Sequence, residues 1–159
     1  MTQPVSPQLP LDVLKKFRVI FGSMRVHFRQ IEERCGVTGS QLWVLREVAH
    51  RPGIGVSELA ERLSIHQSTC SQLVEKLAMR GYLTKERSRE DQRRVGLVLQ
   101  PEAVRLLKKA PGPAQGILPG ALSELPEEVL SELNGGLAAV ITQLELRNEH
   151  LANRHLADF

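Results

Sequence analysis

The sequence has two cysteines, Cys35 and Cys70, far apart along the chain and in no C-x-x-C pair, which excludes a disulfide-stapled scaffold and suits a reducing compartment. His27, His50, His66, His150 and His155 show no i, i+4 spacing that would pair metal ligands on one helix face, so no metal site is expected. No apolar run approaches the roughly 20 residues that a membrane span requires. The opening MTQPVSPQLP has no cationic stretch leading into an apolar one, so no secretory signal is read and the expected location is the cytoplasm. No phosphate-binding glycine loop and no set of nucleophile, base and orienting acid can be assembled. An enzyme is not expected, nor is a cofactor.

What the 159 residues do contain is a globular balance of 42% hydrophobic and 25% charged residues, enough for one core. Charge is uneven: residues 1–100 carry 16 Lys/Arg against 10 Asp/Glu, and residues 101–159 carry 5 against 8. The first part is therefore where a polyanion would bind. Within it, KERSREDQRR (85–94) holds eight charged residues in ten. A charge run of this kind is ordinarily a solvated turn, so its flanks decide its meaning.

Three prolines in the first ten residues predict a flexible arm over 1–10. From Asp12 to Cys35, Leu14, Phe17, Phe21, Met24, Phe28 and Ile31 recur at spacings of 3 and 4, the stripe of a long helix, and Gly36 suits its C-cap. TGSQLWVLREVAH starts a second helix with Thr38 or Ser40 as N-cap, closed by RPGIG. VSELAERL is a short helix with Leu59, Ala60 and Leu63 inward, and QSTCSQLVEKLAMRG is another with Leu73, Val74 and Leu77 inward. Two helices joined by about three residues make a helix-turn-helix.

YLTKER and RVGLVLQ read as strands, which makes the charged run the tip of a β-hairpin. A hairpin whose tip carries Arg87, Arg89, Arg93 and Arg94, directly after a helix-turn-helix, is the pattern of a winged helix, with one helix for the major groove and the hairpin for the adjacent minor groove. PEAVRLLKKA then starts a helix with Pro101 at its first position. The triplet Pro111-Gly112-Pro113 interrupts it, either as a hinge or as a rigid kink. A further helical piece is expected to break near Pro119, and a long helix to run from Pro126 to about Leu151 with Val129, Leu133, Leu137, Val140, Ile141 and Leu144 along one stripe. The fold class is mainly α with a small β-hairpin wing (α+β).

SELAERL, SQLVEKLAMRGYL and REDQRRVGLVL, with Asp91-Gln92-Arg93 matching a D-x-R signature, resemble the MarR family of bacterial transcriptional regulators from about Asp12 to His150. Departures include Gln72, where many relatives have arginine, and Ser64 and His66 in the turn. The resemblance implies a homodimer in which residues 11–36 and 101–159 supply dimerisation helices and residues 37–100 a DNA-binding lobe facing half of a pseudopalindromic operator in double-stranded DNA. Apolar stripes at both ends of the chain fit that pairing, with Leu14, Phe17, Leu137, Val140, Ile141 and Leu144 as interface candidates.

On this frame Gln67, Ser68, Thr69, Ser71 and Gln72 would face bases and phosphates from the recognition helix, although Ser68 or Thr69 would serve equally well as its cap. Lys76 suits a phosphate. The resemblance implies that Arg93 enters the minor groove oriented by Asp91; the alternative is a structural Asp-Arg clip. Arg87, Arg89 and Arg94 would serve phosphates. It also implies a repressor released by a small effector, frequently an aromatic anion, in a crevice that Met24, His27 and Trp43 would line with His27 as a polar handle, unless Met24 and Trp43 are core. Two other readings stay open: a redox-responsive regulator acting through Cys35 or Cys70, and a winged helix used for protein contact.

Overall fold

The computed structural model describes residues 8–87, 93–112, 116–145 and 147–158. Helix α1 (Gln8–Cys35) begins inside the segment expected to be an arm, because Pro10 falls in the first turn, where an amide has no intrahelical partner to lose. It ends where Gly36, at φ 66°, takes the left-handed conformation and donates its N–H to the Glu32 carbonyl at 2.9 Å. The expected apolar stripe divides in two. Met24, His27 and Ile31 are buried, whereas Leu14 and Phe21 are exposed, with Phe17 and Phe21 stacked on each other at 6.4 Å.

Helix α2 (Gly39–His50) starts at Thr38, not Ser40. The Thr38 hydroxyl accepts from the Gln41 N–H at 3.2 Å while the Thr38 N–H donates to Gln41 Oε1 at 3.0 Å, a reciprocal capping box. Leu42, Val44, Leu45 and Val48 are buried, and α2 lies centrally, touching α1, α3 (Val56–Leu63), α4 (Gln67–Met79), strand β2 (Val95–Leu99) and α5 (Pro101–Lys109). Helix α3 ends at Ser64, whose φ of 53° lets the chain turn sharply into α4. Leu59, Leu63, Val74 and Leu77 meet α2 in one core, each such side chain stabilising the lobe by about 1.5–3 kcal/mol.

Strand β1 (Leu83–Arg87) pairs antiparallel with β2 from Leu83↔Leu99 to Arg87↔Val95. The hairpin is bolted to the α2–α3 loop: Gly53 N–H donates to the Leu97 carbonyl at 2.8 Å, and Leu97 N–H to the Ile54 carbonyl at 2.9 Å. A side chain at position 96 would place its Cβ 2.4 Å from the Gly53 carbonyl oxygen, so glycine is what permits this approach.

Helix α5 opens with Pro101 and buries Ala103 and Leu106. Helix α6 (Ile117–Ser123) contains Pro119 without breaking, contrary to expectation, because Pro119 is its third residue and its missing N–H has no intrahelical acceptor to lose. Helix α7 (Glu127–Thr142) stops well short of Leu151. Its last amides tighten to i−3 acceptors, Gln143 to Val140 at 3.0 Å and Leu144 to Ile141 at 3.1 Å. Downstream, the Asn148 side chain accepts from the His150 N–H at 3.1 Å and starts a 3-10 turn at Glu149–Asn153, and a second 3-10 turn follows at Leu156–Asp158. Leu137, Val140, Ile141 and Leu144 are 37–53% exposed, so a single chain leaves the apolar face of α7 uncovered.

Candidate nucleic-acid interface and adjoining crevice

Helix α4 has two chemically distinct faces. Cys70, Leu73, Val74 and Leu77 are buried, while Gln67, Ser68, Gln72 and Lys76 are exposed and Thr69 and Ser71 half-buried. The N-cap is His66, with no side-chain hydrogen bond, so neither Ser68 nor Thr69 is spent as a cap. That leaves both hydroxyls on the outward, N-terminal end of the helix, together with the exposed His66, which sequence reasoning had treated only as a turn residue. The hairpin follows directly: Arg87 ends β1, and Arg93 and Arg94 precede β2, all exposed. Arg89 and Asp91 lie outside the described residues, and with them the Asp91–Arg93 pairing.

Polar contacts invisible in local patterns hold this lobe in shape. Arg62 Nε donates to the buried Glu47 carboxylate at 2.8 Å and fixes α3 against α2. Arg80 donates to the Gly36 carbonyl at 2.8 Å and lies 5.0 Å over the Tyr82 ring, tying the end of α4 to the end of α1. Lys85 pairs with Glu75, joining β1 to α4. Arg46 reaches from α2 to the carbonyls of Pro111 at 3.3 Å and Gly112 at 3.2 Å, so the connector after α5 is held by a guanidinium up to Gly112; Pro113 lies outside the described residues.

Behind the lobe, α1, α2 and α6 enclose a crevice lined by Met24, Phe28, Trp43, Ile117 and Pro119, with only about 20 Å³ of free space. His155 is one of its walls. Its ring stands edge-on to Trp43 at 5.0 Å and tilted to Phe28 at 5.9 Å, and it is buried. Its Nδ1 accepts the Ala157 N–H at 3.0 Å, and Asp158 accepts from the Ser40 hydroxyl at 3.2 Å. Burial lowers the His155 pKa to about 4 despite the nearby Asp158 charge. His27 does not share this crevice. It lines a neighbouring open groove of about 550 Å³ with Arg18, Val26 and Gln30, its pKa lowered by burial and then by the Arg46 charge.

The MarR family model matches residues 28–94, which run from the end of α1 through the helix-turn-helix into the hairpin. Residues 28–94 are thus similar to the MarR family. It is 26% identical over 121 residues, 76% of this chain and 78% of the other, to the HTH-type transcriptional repressor MdtR of Bacillus subtilis (strain 168). It is 24% identical over 128 residues to the organic hydroperoxide resistance transcriptional regulator of the same organism, covering 79% and 84% of the two chains. Among solved structures, the S. aureus MepR–DNA complex superposes with a TM-score of 0.59 at 16% identity, over 88% of this chain and 100% of that one.

The crevice candidates therefore separate: Met24 and Trp43 face the same small cavity, and His27 faces the groove beside it. Trp43 Nε1 and His27 Nε2 are buried with no hydrogen-bond partner among the described residues. His155 was legible only as one histidine without a motif. The thiols point away from redox chemistry. Cys70 is fully buried with its pKa pushed up to about 11, and burial also raises Cys35 in spite of the Arg46 charge. A sensing cysteine needs the opposite shift.

Proposed function

We propose that the protein is a dimeric, sequence-specific DNA-binding transcriptional regulator that acts as a repressor and is released by a small effector bound beside the α1–α2 junction. The observation that carries this reading is the exposed polar end of α4 set beside a hairpin bearing Arg87, Arg93 and Arg94, while the opposite face of α4 is sealed into the core. Gln67 and Gln72 suit adenine edges, the hydroxyls of Ser68, Thr69 and Ser71 suit bases or phosphates, and Lys76 and Arg94 suit phosphates. Arg93 suits the negative potential of a narrow minor groove.

Dimerisation follows from the uncovered apolar residues of α1 and α7, which a second copy would bury in an isologous pairing. Selection of bound duplexes from a random pool tests the whole reading. The expected product is an inverted repeat with half-sites about one helical turn, ~34 Å, apart. Recovery of no preferred sequence, or of single half-sites bound by a monomer in light scattering, overturns it.

A further inference from the structure

The chain passes between the winged-helix lobe and the helices that carry the uncovered apolar faces at two places, and both are built alike. At the first, between α1 and α2, Gly36 takes φ 66° and its carbonyl accepts from Arg80, the C-cap residue of α4. At the second, between α5 and α6, Gly112 takes φ 80°, and Arg46 Nη2 faces three successive carbonyl oxygens, those of Ala110 at 3.5 Å, Pro111 at 3.3 Å and Gly112 at 3.2 Å. A left-handed glycine is where a backbone turns most freely, since no Cβ restricts it. A guanidinium donating to the adjoining carbonyls removes that freedom, because its donors are coplanar and fixed in direction. At the second joint the backbone is also held from the other side: a Cβ on Gly112 would lie 2.6 Å from His27 Cε1, so the connector sits directly on the buried His27 ring of α1. It is gripped between α1 and α2.

We propose that Arg46 and Arg80 are positioning residues for operator recognition, which lock the lobe at one angle to the dimerisation helices and so set the separation of the two recognition helices in the dimer. The inference rests on the dimeric DNA-binding reading above and adds the groups that fix half-site spacing. Neither side chain has to touch DNA for this, because both act on backbone carbonyls at the joints. Helix α4 has 13 residues and is about 20 Å long, so a rotation of about 10° about one end moves the other by about 3.5 Å, the rise of one base pair. A joint that yields by that much does not distinguish one half-site spacing from the next.

The experiment measures the affinity of the full chain for three duplexes by fluorescence anisotropy: the inverted repeat selected by the wild type, the same repeat with one base pair added between its half-sites, and a duplex with a single half-site. The wild type is expected to bind the lengthened repeat roughly a hundredfold more weakly than the selected one, because a dimer that engages one half-site forfeits its avidity. Arg46→Gln and Arg80→Gln are each expected to shrink that ratio by about threefold or more while the affinity for the single half-site stays unchanged.

Gly112→Ala, whose Cβ would push the connector off His27, is expected to shrink the ratio in the same way through different atoms, so the test does not depend on one variant folding. Variants that keep the wild-type ratio, or that weaken all three duplexes alike, leave the arginines a role in stability only and overturn the proposal. A wild type that does not discriminate between the two repeats overturns the dimeric reading itself, which separates the two failures.

Discussion

Replacing Gly96 with alanine is the most direct probe of how the wing is held. The new Cβ would lie 2.4 Å from the Gly53 carbonyl oxygen and 2.7 Å from the Gly53 Cα, about 1 Å inside ordinary contact distance of roughly 3.5 Å. Both partners are backbone, so no rotamer can relieve the overlap and the hairpin must move off the α2–α3 loop. That movement strains the bonds from Gly53 N–H to Leu97 and from Leu97 N–H to Ile54, each contributing about 0.5–1.5 kcal/mol. Overpacking adds about 1–3 kcal/mol, and the lower unfolded-chain entropy of alanine returns about 0.4–1 kcal/mol. A net loss of about 2–3 kcal/mol is expected, a large fraction of a typical total of 5–15 kcal/mol. Urea unfolding should show the midpoint falling by about 1 M at an unchanged m-value, and operator affinity should fall with it. A loss below about 0.5 kcal/mol with unaltered DNA binding would refute the account of the wing's attachment.

Arg93→Ala is expected to weaken operator binding by about 1–3 kcal/mol without changing the urea midpoint; equal affinity in a fluorescence-anisotropy titration would leave Arg93 a structural role only. Lys76→Ala should weaken all duplexes alike and reduce the slope of log affinity against log salt by about 1, and an unchanged slope would remove its phosphate contact. Thr38→Ala breaks the capping box and should cost about 1 kcal/mol in urea unfolding. Acid should loosen the packing of residues 155–158 against α2. Burial holds the His155 pKa at about 4 against an ordinary value of about 6.5, so its packing is unaffected above pH ~6.5 and weakens as pH falls towards 4, by up to about 3 kcal/mol. Asp158, on the same segment, opposes this only in part, and His27, on α1, shifts in the same direction. Trp43 emission should change across that window in the wild type and stay flat in His155→Ala.

The helix-turn-helix and the hairpin were legible because their signals are local. Leu59, Ala60 and Leu63 repeat with the helical period and are buried, and the alternation of VGLVL marks a strand that pairs with its neighbour. The element boundaries that differed were set by competition within a turn or two. Pro119 looks like a breaker until its place in a first turn is known, and the apolar stripe of α7 continues past Thr142 while the backbone does not. Leu14 and Leu137 follow the same periodicity as buried residues, yet periodicity only says that a face is apolar, not what covers it. Arg46, Arg80 and His155 carried no local signal. Each acts on residues more than 40 positions away, Arg46 on Gly112, Arg80 on Gly36 and His155 on Trp43, and only the folded chain brings them together.

Ser40, Trp43, Arg46 and Glu47 occupy a stretch of α2 that rises only about 10 Å at 1.5 Å per residue. Along it are the hydroxyl bonded to Asp158, a wall of the crevice, the grip on the Pro111–Gly112 connector and the anchor of α3. These four attachments share one rigid rod, so a displacement of a single ångström at any of them is delivered to the other three together. For genetics this makes α2 the place where unlike phenotypes converge. Alleles that fail to bind DNA, alleles that never let go and alleles that respond without inducer would map within two turns of one another, on a helix none of whose side chains is assigned to DNA.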